Sequence, residues 1–154
     1  MSRDRQLYLG HVLPKLSEHR TIILTGNFAL IFLGYSVTWE TTPDVLTDRC
    51  ELSGIRLYRR VNYCYTPSLD KEHYVTRLKG FDKVYLPTAE RVFVECIKSD
   101  LEFIDEGYFC DALERYMHSS NFDHDKLYEV ADFFGVERSK IDYWLEEASD
   151  YNSY

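Results

Sequence analysis

A chain of 154 residues, 45% of them hydrophobic, is long enough to bury its own core as one domain without a metal or a disulfide to staple it. Its four cysteines, Cys50, Cys64, Cys96 and Cys110, stand far apart with no C-x-x-C pair, which excludes the common zinc modules and a disulfide framework and reads as reduced thiols of a cytoplasmic protein. The formal charge of −8 is two-ended: residues 1–87 carry 12 basic against 9 acidic side chains and residues 88–154 carry 6 against 17, so the second half repels phosphate backbones and offers either a solvated acidic face or a dock for a basic partner.

Taken in chain order, residues 3–18 place Leu7, Leu9, Val12, Leu13 and Leu16 at helical spacing among charged neighbours, with Pro14 dividing the segment. No apolar signal region follows Met1. The longest apolar run, Ile22 to Leu33, is broken by Thr, Gly and Asn and falls short of the roughly 20 residues a membrane span needs. Within it, residues 26–34 predict a short helix that is apolar on every face and therefore buried on all sides, capped by Thr25 or Asn27 and closed by Gly34. A connector over 36–42, a strand at 43–47 and an alternating strand at 55–61 come next; the alternation puts Arg56, Tyr58 and Arg60 on one face. Tyr63-Cys64-Tyr65 extends that strand or pairs beside it, 67–70 reads as a loop, 71–78 as a short helix and 83–86 as a last strand.

From Pro87 the period changes to that of helices. Thr88 caps a helix to about Ser99 with Val92, Phe93, Cys96 and Ile97 inward, and Asp105 opens another with Tyr108, Phe109, Ala112, Leu113 and Tyr116 inward. Asp123 caps a third, bearing Leu127, Val130, Ala131 and Phe134 and stopped by Gly135; Glu137 or Ser139 begins the last, with Ile141, Trp144 and Leu145 on its apolar side. The expected fold class is α+β: a small mixed sheet with the buried helix over residues 1–86, a helical lobe over 87–148 and a fraying tail at 149–154, in a single domain.

Two segments resemble a known family. Thr25-Gly26, Ala29-Leu30 and Leu33-Gly34, with the strands after Pro43 and around Ile55 to Val61, are similar to the "S/T-G-x-x-A-L-x-x-L-G" helix and following strands of the antitoxins of AbiE-type abortive-infection systems, the type IV toxin-antitoxin family. Leu86-Pro87-Thr88-Ala89-Glu90-Arg91 is similar to that family's "T-P-E-R-A" segment, and Leu127 to Leu145 to its closing "L-x-x-x-A-x-x-x-G-V" pattern. The resemblance spans roughly residues 20–148 and implies a cytoplasmic, non-enzymatic antitoxin whose partner is a nucleotidyltransferase-like toxin. The family's N-terminal winged helix has no counterpart in the first twenty residues, so DNA binding is not expected to carry over. The alternative reading is an acidic phage or mobile-element inhibitor that occupies a basic site on a host defence complex.

Arg56, Tyr58, Arg59 and Arg60 are the candidate partner-binding residues, since guanidinium groups beside an aromatic ring suit phosphate, base or protein contacts; the plainer role is pairing with the acidic helices. His118, His124 and Asp125 match no zinc spacing, and His11, His19 and His73 stand alone. Asp100, Glu102, Asp105 and Glu106 cluster where a helix begins, which suits capping better than acid/base work. Asp44, Glu95 and Lys98 evoke a metal-dependent nuclease, but Glu95 and Lys98 lie three apart on a helix instead of two apart on a strand. No phosphate-binding glycine loop, nucleophile elbow or H-E-x-x-H occurs, and no cofactor or metal is expected.

Overall fold

The computed structural model describes residues 13–18, 20–37, 43–48, 62–66, 69–102 and 104–151. Its elements are α1 (Leu13–Leu16), β1 (Ile22–Leu24), α2 (Gly26–Leu33), β2 (Asp44–Thr47), β3 (Asn62–Tyr65), β4 (Val75–Arg77), β5 (Val84–Pro87), α3 (Ala89–Lys98), α4 (Glu106–Met117), α5 (His124–Phe134) and α6 (Arg138–Tyr151). The class is α+β as expected, a mixed sheet followed by a run of helices. No helix among the described residues is long and apolar enough to cross a membrane.

The five strands lie in the order β3-β2-β1-β5-β4. The central β1 runs antiparallel to β2, Ile23 opposite Leu46, and parallel to β5, Ile22 opposite Val84; β2 and β3 are parallel, and β4 closes the other edge antiparallel to β5. All three β1 residues are buried, as a strand covered on both faces must be, and this makes it a continuous apolar run instead of an alternating one. That is why the sequence merges Ile22–Leu24 with the helix behind it. The break is Gly26, whose positive φ of 57° turns the chain out of the strand.

Helix α2 is buried from Gly26 to Phe32, as its all-round apolar character requires, and Gly34 ends it in the left-handed conformation at φ 87°. The expected caps are corrected: Thr25 occupies the N-cap position but its side chain makes no capping hydrogen bond, and the buried Asn27 accepts from the Ser36 hydroxyl at 2.6 Å, tying the two ends of the helix together.

The segment 71–78 is not a helix. Asp70 accepts the backbone N–H groups of Glu72 and His73, forming a turn, Tyr74 takes a left-handed φ of 59°, and the chain leaves it as β4. The three helix starts that follow are as read: Thr88, Asp105 and Asp123 each accept a first-turn N–H, and Gly135 closes α5 at φ 73°. Asp105 is thus a cap, and Glu106 follows it in the first turn. Helix α6 runs through Tyr151, three residues past the expected bound, with the Tyr151 hydroxyl against Gly107 of α4. The helix expected at 3–18 is described only over α1, and the strand expected at 55–61 lies outside the described residues.

Phe93 of α3 sits at the centre of an aromatic cluster, with ring centroids 5.8 Å from Phe109, 5.3 Å from Tyr116 and 6.4 Å from Tyr35, while Phe109 meets Trp144 edge-on at 5.4 Å. One cluster therefore holds the end of α2 to α3, α4 and α6. Fully buried Tyr116 donates its hydroxyl proton to Glu90 and accepts the Asp123 N–H at 3.1 Å, coupling α3 to the α4–α5 junction. Burial and the Glu90 carboxylate push its phenol far above the ordinary tyrosine range, so it stays a neutral donor. We expect Tyr116→Phe to fill the same volume yet to lower unfolding stability by about 1–3 kcal/mol, because Glu90 and the Asp123 N–H lose their partner. Urea denaturation measures this, and an unchanged midpoint would show the hydroxyl contributes nothing.

Candidate functional site

The sheet lobe and the helical lobe meet at Arg91, in the first turn of α3. Its guanidinium is almost fully buried, with 2% of the side chain exposed, and donates through Nη1 to the carbonyl oxygens of Asp70 and His73, both at 2.7 Å, and through Nε to Glu95 at 3.1 Å. The planar fork of Arg provides these separate donors at fixed angles, which an ammonium cannot do. Arg91 therefore fastens the Asp70–Tyr74 turn to α3, and its charge lies 5.1 Å from the ring centre of Phe134 on α5.

Glu95 is the counter-charge, with 18% of its side chain exposed. Burial raises its carboxyl above the ordinary value, an effect that Arg91 and then Lys98 only partly offset. Asp70 goes the other way: burial opposes its ionisation, but the N–H groups of Glu72 and His73 and the His73 ring, 2.9 Å from Oδ2, together hold its carboxyl below the usual range. The two signs differ in their consequence for stability. Glu95 contributes fully below the unfolded-state value of about 4.5 and loses that contribution as pH rises through its folded value; Asp70 contributes above about 3.8 and loses it as pH falls through its folded value.

Around this pair lies a cavity of about 340 Å³, lined by Thr25 and Gly26 at the start of α2, by Leu46 of β2, by Thr66, by Cys96 of α3 and by Ser99 just past its end. It adjoins an outer cavity of about 480 Å³ carrying Lys71, Glu72, His73 and Phe133; Asp70, Lys98 and Phe134 line both. Phe133 is 45% exposed and packs against the rings of His73 at 4.6 Å and Tyr74 at 5.5 Å, so the rim of the outer cavity is aromatic. Tyr74 donates its hydroxyl to Glu129 at 3.0 Å, which secures the same turn to α5.

Of the residues weighed in the sequence, Glu95 and Lys98 do lie together here, yet Glu95 is bound by Arg91 and Lys98 sits 5.9 Å from the Phe134 ring centre, not at a metal. Asp44 is buried at the start of β2, with its carbonyl accepting the Thr25 N–H at 3.1 Å. His118 donates through Nδ1 to the Glu114 carbonyl at 3.0 Å, and His124 lies between the rings of Phe122 and Tyr128. Among the described residues no three His, Cys, Asp or Glu side chains gather as a metal cage. Cys110, buried and surrounded by Glu106, Glu147 and Asp111, has its thiol pushed up to about 11, so it is unreactive at neutral pH. Arg56, Tyr58, Arg59 and Arg60 lie outside the described residues.

The cavity itself escaped the sequence, because Thr25, Leu46, Thr66, Asp70, Arg91 and Phe134 come from six separate places in the chain. The available signal was Arg91, a charged residue on the inner side of α3 between Thr88 and Val92. Comparison of the chain with protein families, with curated proteins and with solved structures finds no match.

Proposed function

We propose that this chain is a non-enzymatic, antitoxin-like interaction protein that opposes a nucleotidyltransferase-type toxin of an abortive-infection system. The observation that carries the reading is the outer face of α6. Glu146 and Asp150 are exposed there in the C-terminal half of the helix, beside Tyr143 at 54% and Tyr151 at 46% exposure, and the last turn has no basic residue. Acids four apart repel, and acids near a helix C-terminus oppose its dipole, so folding alone does not favour this placement. An acidic face set with tyrosines suits a basic protein surface, with tyrosine supplying contact area and the carboxylates steering the encounter.

The resemblance supplies the identity of the partner, and the roles of its second segment agree with an architectural use: Thr88 caps α3, Glu90 receives the Tyr116 hydroxyl and Arg91 fastens the Asp70 turn. The test is growth rescue. Each neighbouring reading frame is expressed alone and then with this protein; one neighbour is expected to arrest growth, to be neutralised by co-expression and to be captured by the wild type, but not by a Glu146→Lys, Asp150→Lys double variant whose unfolding midpoint is at or above that of the wild type. Neighbours that are all harmless would end the antitoxin reading and leave the anti-defence inhibitor.

A further inference from the structure

The paired cavities are a second feature with its own chemistry, independent of the α6 face. Their inner chamber is lined by hydroxyls at Thr25, Thr66 and Ser99 and by apolar surface at Leu46, Cys96 and Phe134. The charges inside are mutually satisfied: Arg91 holds Glu95, and Asp70 is bound by two backbone N–H groups and by His73. A bare cation finds no open carboxylate pair there, and a bare anion would face both Glu95 and Asp70. What the chamber accommodates is a flat, uncharged ring with hydrogen-bonding edges, seated among hydroxyls and carboxylate oxygens beside an aromatic wall. The outer cavity differs. Lys71 and Lys98 lie at it with His73, facing Glu72 and the already engaged Asp70, and Lys98 stands where the two cavities join. That is a place for an anionic tail attached to the ring.

We propose that the two cavities form one binding site for a nucleoside phosphate, the base in the inner chamber and the phosphate at the mouth beside Lys98 and Lys71. The inner volume of about 340 Å³ lies within the roughly 300–1,000 Å³ of small-molecule pockets. Gly26, at a positive φ of 57°, lines the chamber at the strand-to-helix turn. Lys98 positions the phosphate as a point charge; Leu46 and Phe134 supply apolar surface for the base to pack against.

The test uses the full chain in titration calorimetry with AMP, GMP, CMP and UMP, together with adenosine and inorganic phosphate as probes of each half. At least one nucleotide is expected to bind with a Kd of roughly 10–100 μM, the nucleoside more weakly, and inorganic phosphate not at all at about 1 mM. Lys98→Glu, at an exposed position, is expected to weaken the nucleotide about tenfold while leaving adenosine unchanged. Leu46→Trp fills the chamber and is expected to abolish both. No nucleotide binding at about 1 mM overturns the proposal, as does nucleotide binding that neither variant alters or that inorganic phosphate matches.

Discussion

Phe32→Asp is expected to abolish the fold. Phe32 is 5% exposed on a helix that is buried all round, and it meets Phe28 edge-on with ring centres 5.2 Å apart. Removing such a ring costs about 3–5 kcal/mol through lost transfer and the cavity left behind. A carboxylate in its place has no partner among apolar neighbours and adds several kcal/mol more, or must be protonated to stay. Together these are comparable with the roughly 5–15 kcal/mol that holds a domain of this size. The variant should show no cooperative thermal transition by circular dichroism and should fail in growth rescue. Phe32→Leu, which keeps most of the volume, should retain the transition with a loss of about 1–2 kcal/mol. A Phe32→Asp protein with the wild-type midpoint would mean that α2 does not organise the core.

The buried helix was legible because its sequence left no alternative: eight residues without a polar face, bounded by glycines, have to be covered by everything else. The helical lobe was legible for a different reason, since capping is a local event; Thr88, Asp105 and Asp123 bond to N–H groups two or three residues away, and the sequence holds both partners. Where a residue's conformation depends on a distant one, reading failed. Lys71 to Leu78 has helix-forming side chains, but the backbone there is set by Arg91, which takes the Asp70 and His73 carbonyls out of any helical ladder, and by β5, against which Val75–Arg77 pairs. Strand β1 was hidden by its own burial, because period-2 alternation exists only when one face meets water. The site was hidden more completely. Glu95 and Lys98 were singled out for their chemistry, but the cavity they line exists only when the Asp70 turn, the α2 turn and Phe134 are brought to them.

Arg91→Ala tests whether that convergence depends on one side chain. The substitution removes three hydrogen bonds of a guanidinium with 2% exposure, and it leaves the Glu95 carboxylate enclosed without its counter-charge. Breaking a buried pair from one side costs about 3–5 kcal/mol, most of it the stranded charge and not the net worth of the pair. The cost is therefore expected to depend on pH with a definite sign. Glu95 already titrates above its ordinary value in the wild type; without Arg91 its folded value rises further, so the variant recovers stability as pH falls from 7 towards 5 and the carboxyl takes up a proton. Asp70, held low, remains ionised through that window and does not contribute to the change. In Arg91→Ala, Glu95→Gln the group no longer titrates, so the double variant should be more stable than Arg91→Ala at pH 7 and its deficit should be flat with pH. Urea unfolding of the three proteins at pH 5 and pH 7 measures all of this. A deficit in Arg91→Ala that is equal at both pH values would place the cost in the lost carbonyl bonds of the Asp70 turn; a deficit below about 1 kcal/mol would show that β4 and the cavity rim hold themselves, and that Arg91 is seated in a turn already formed.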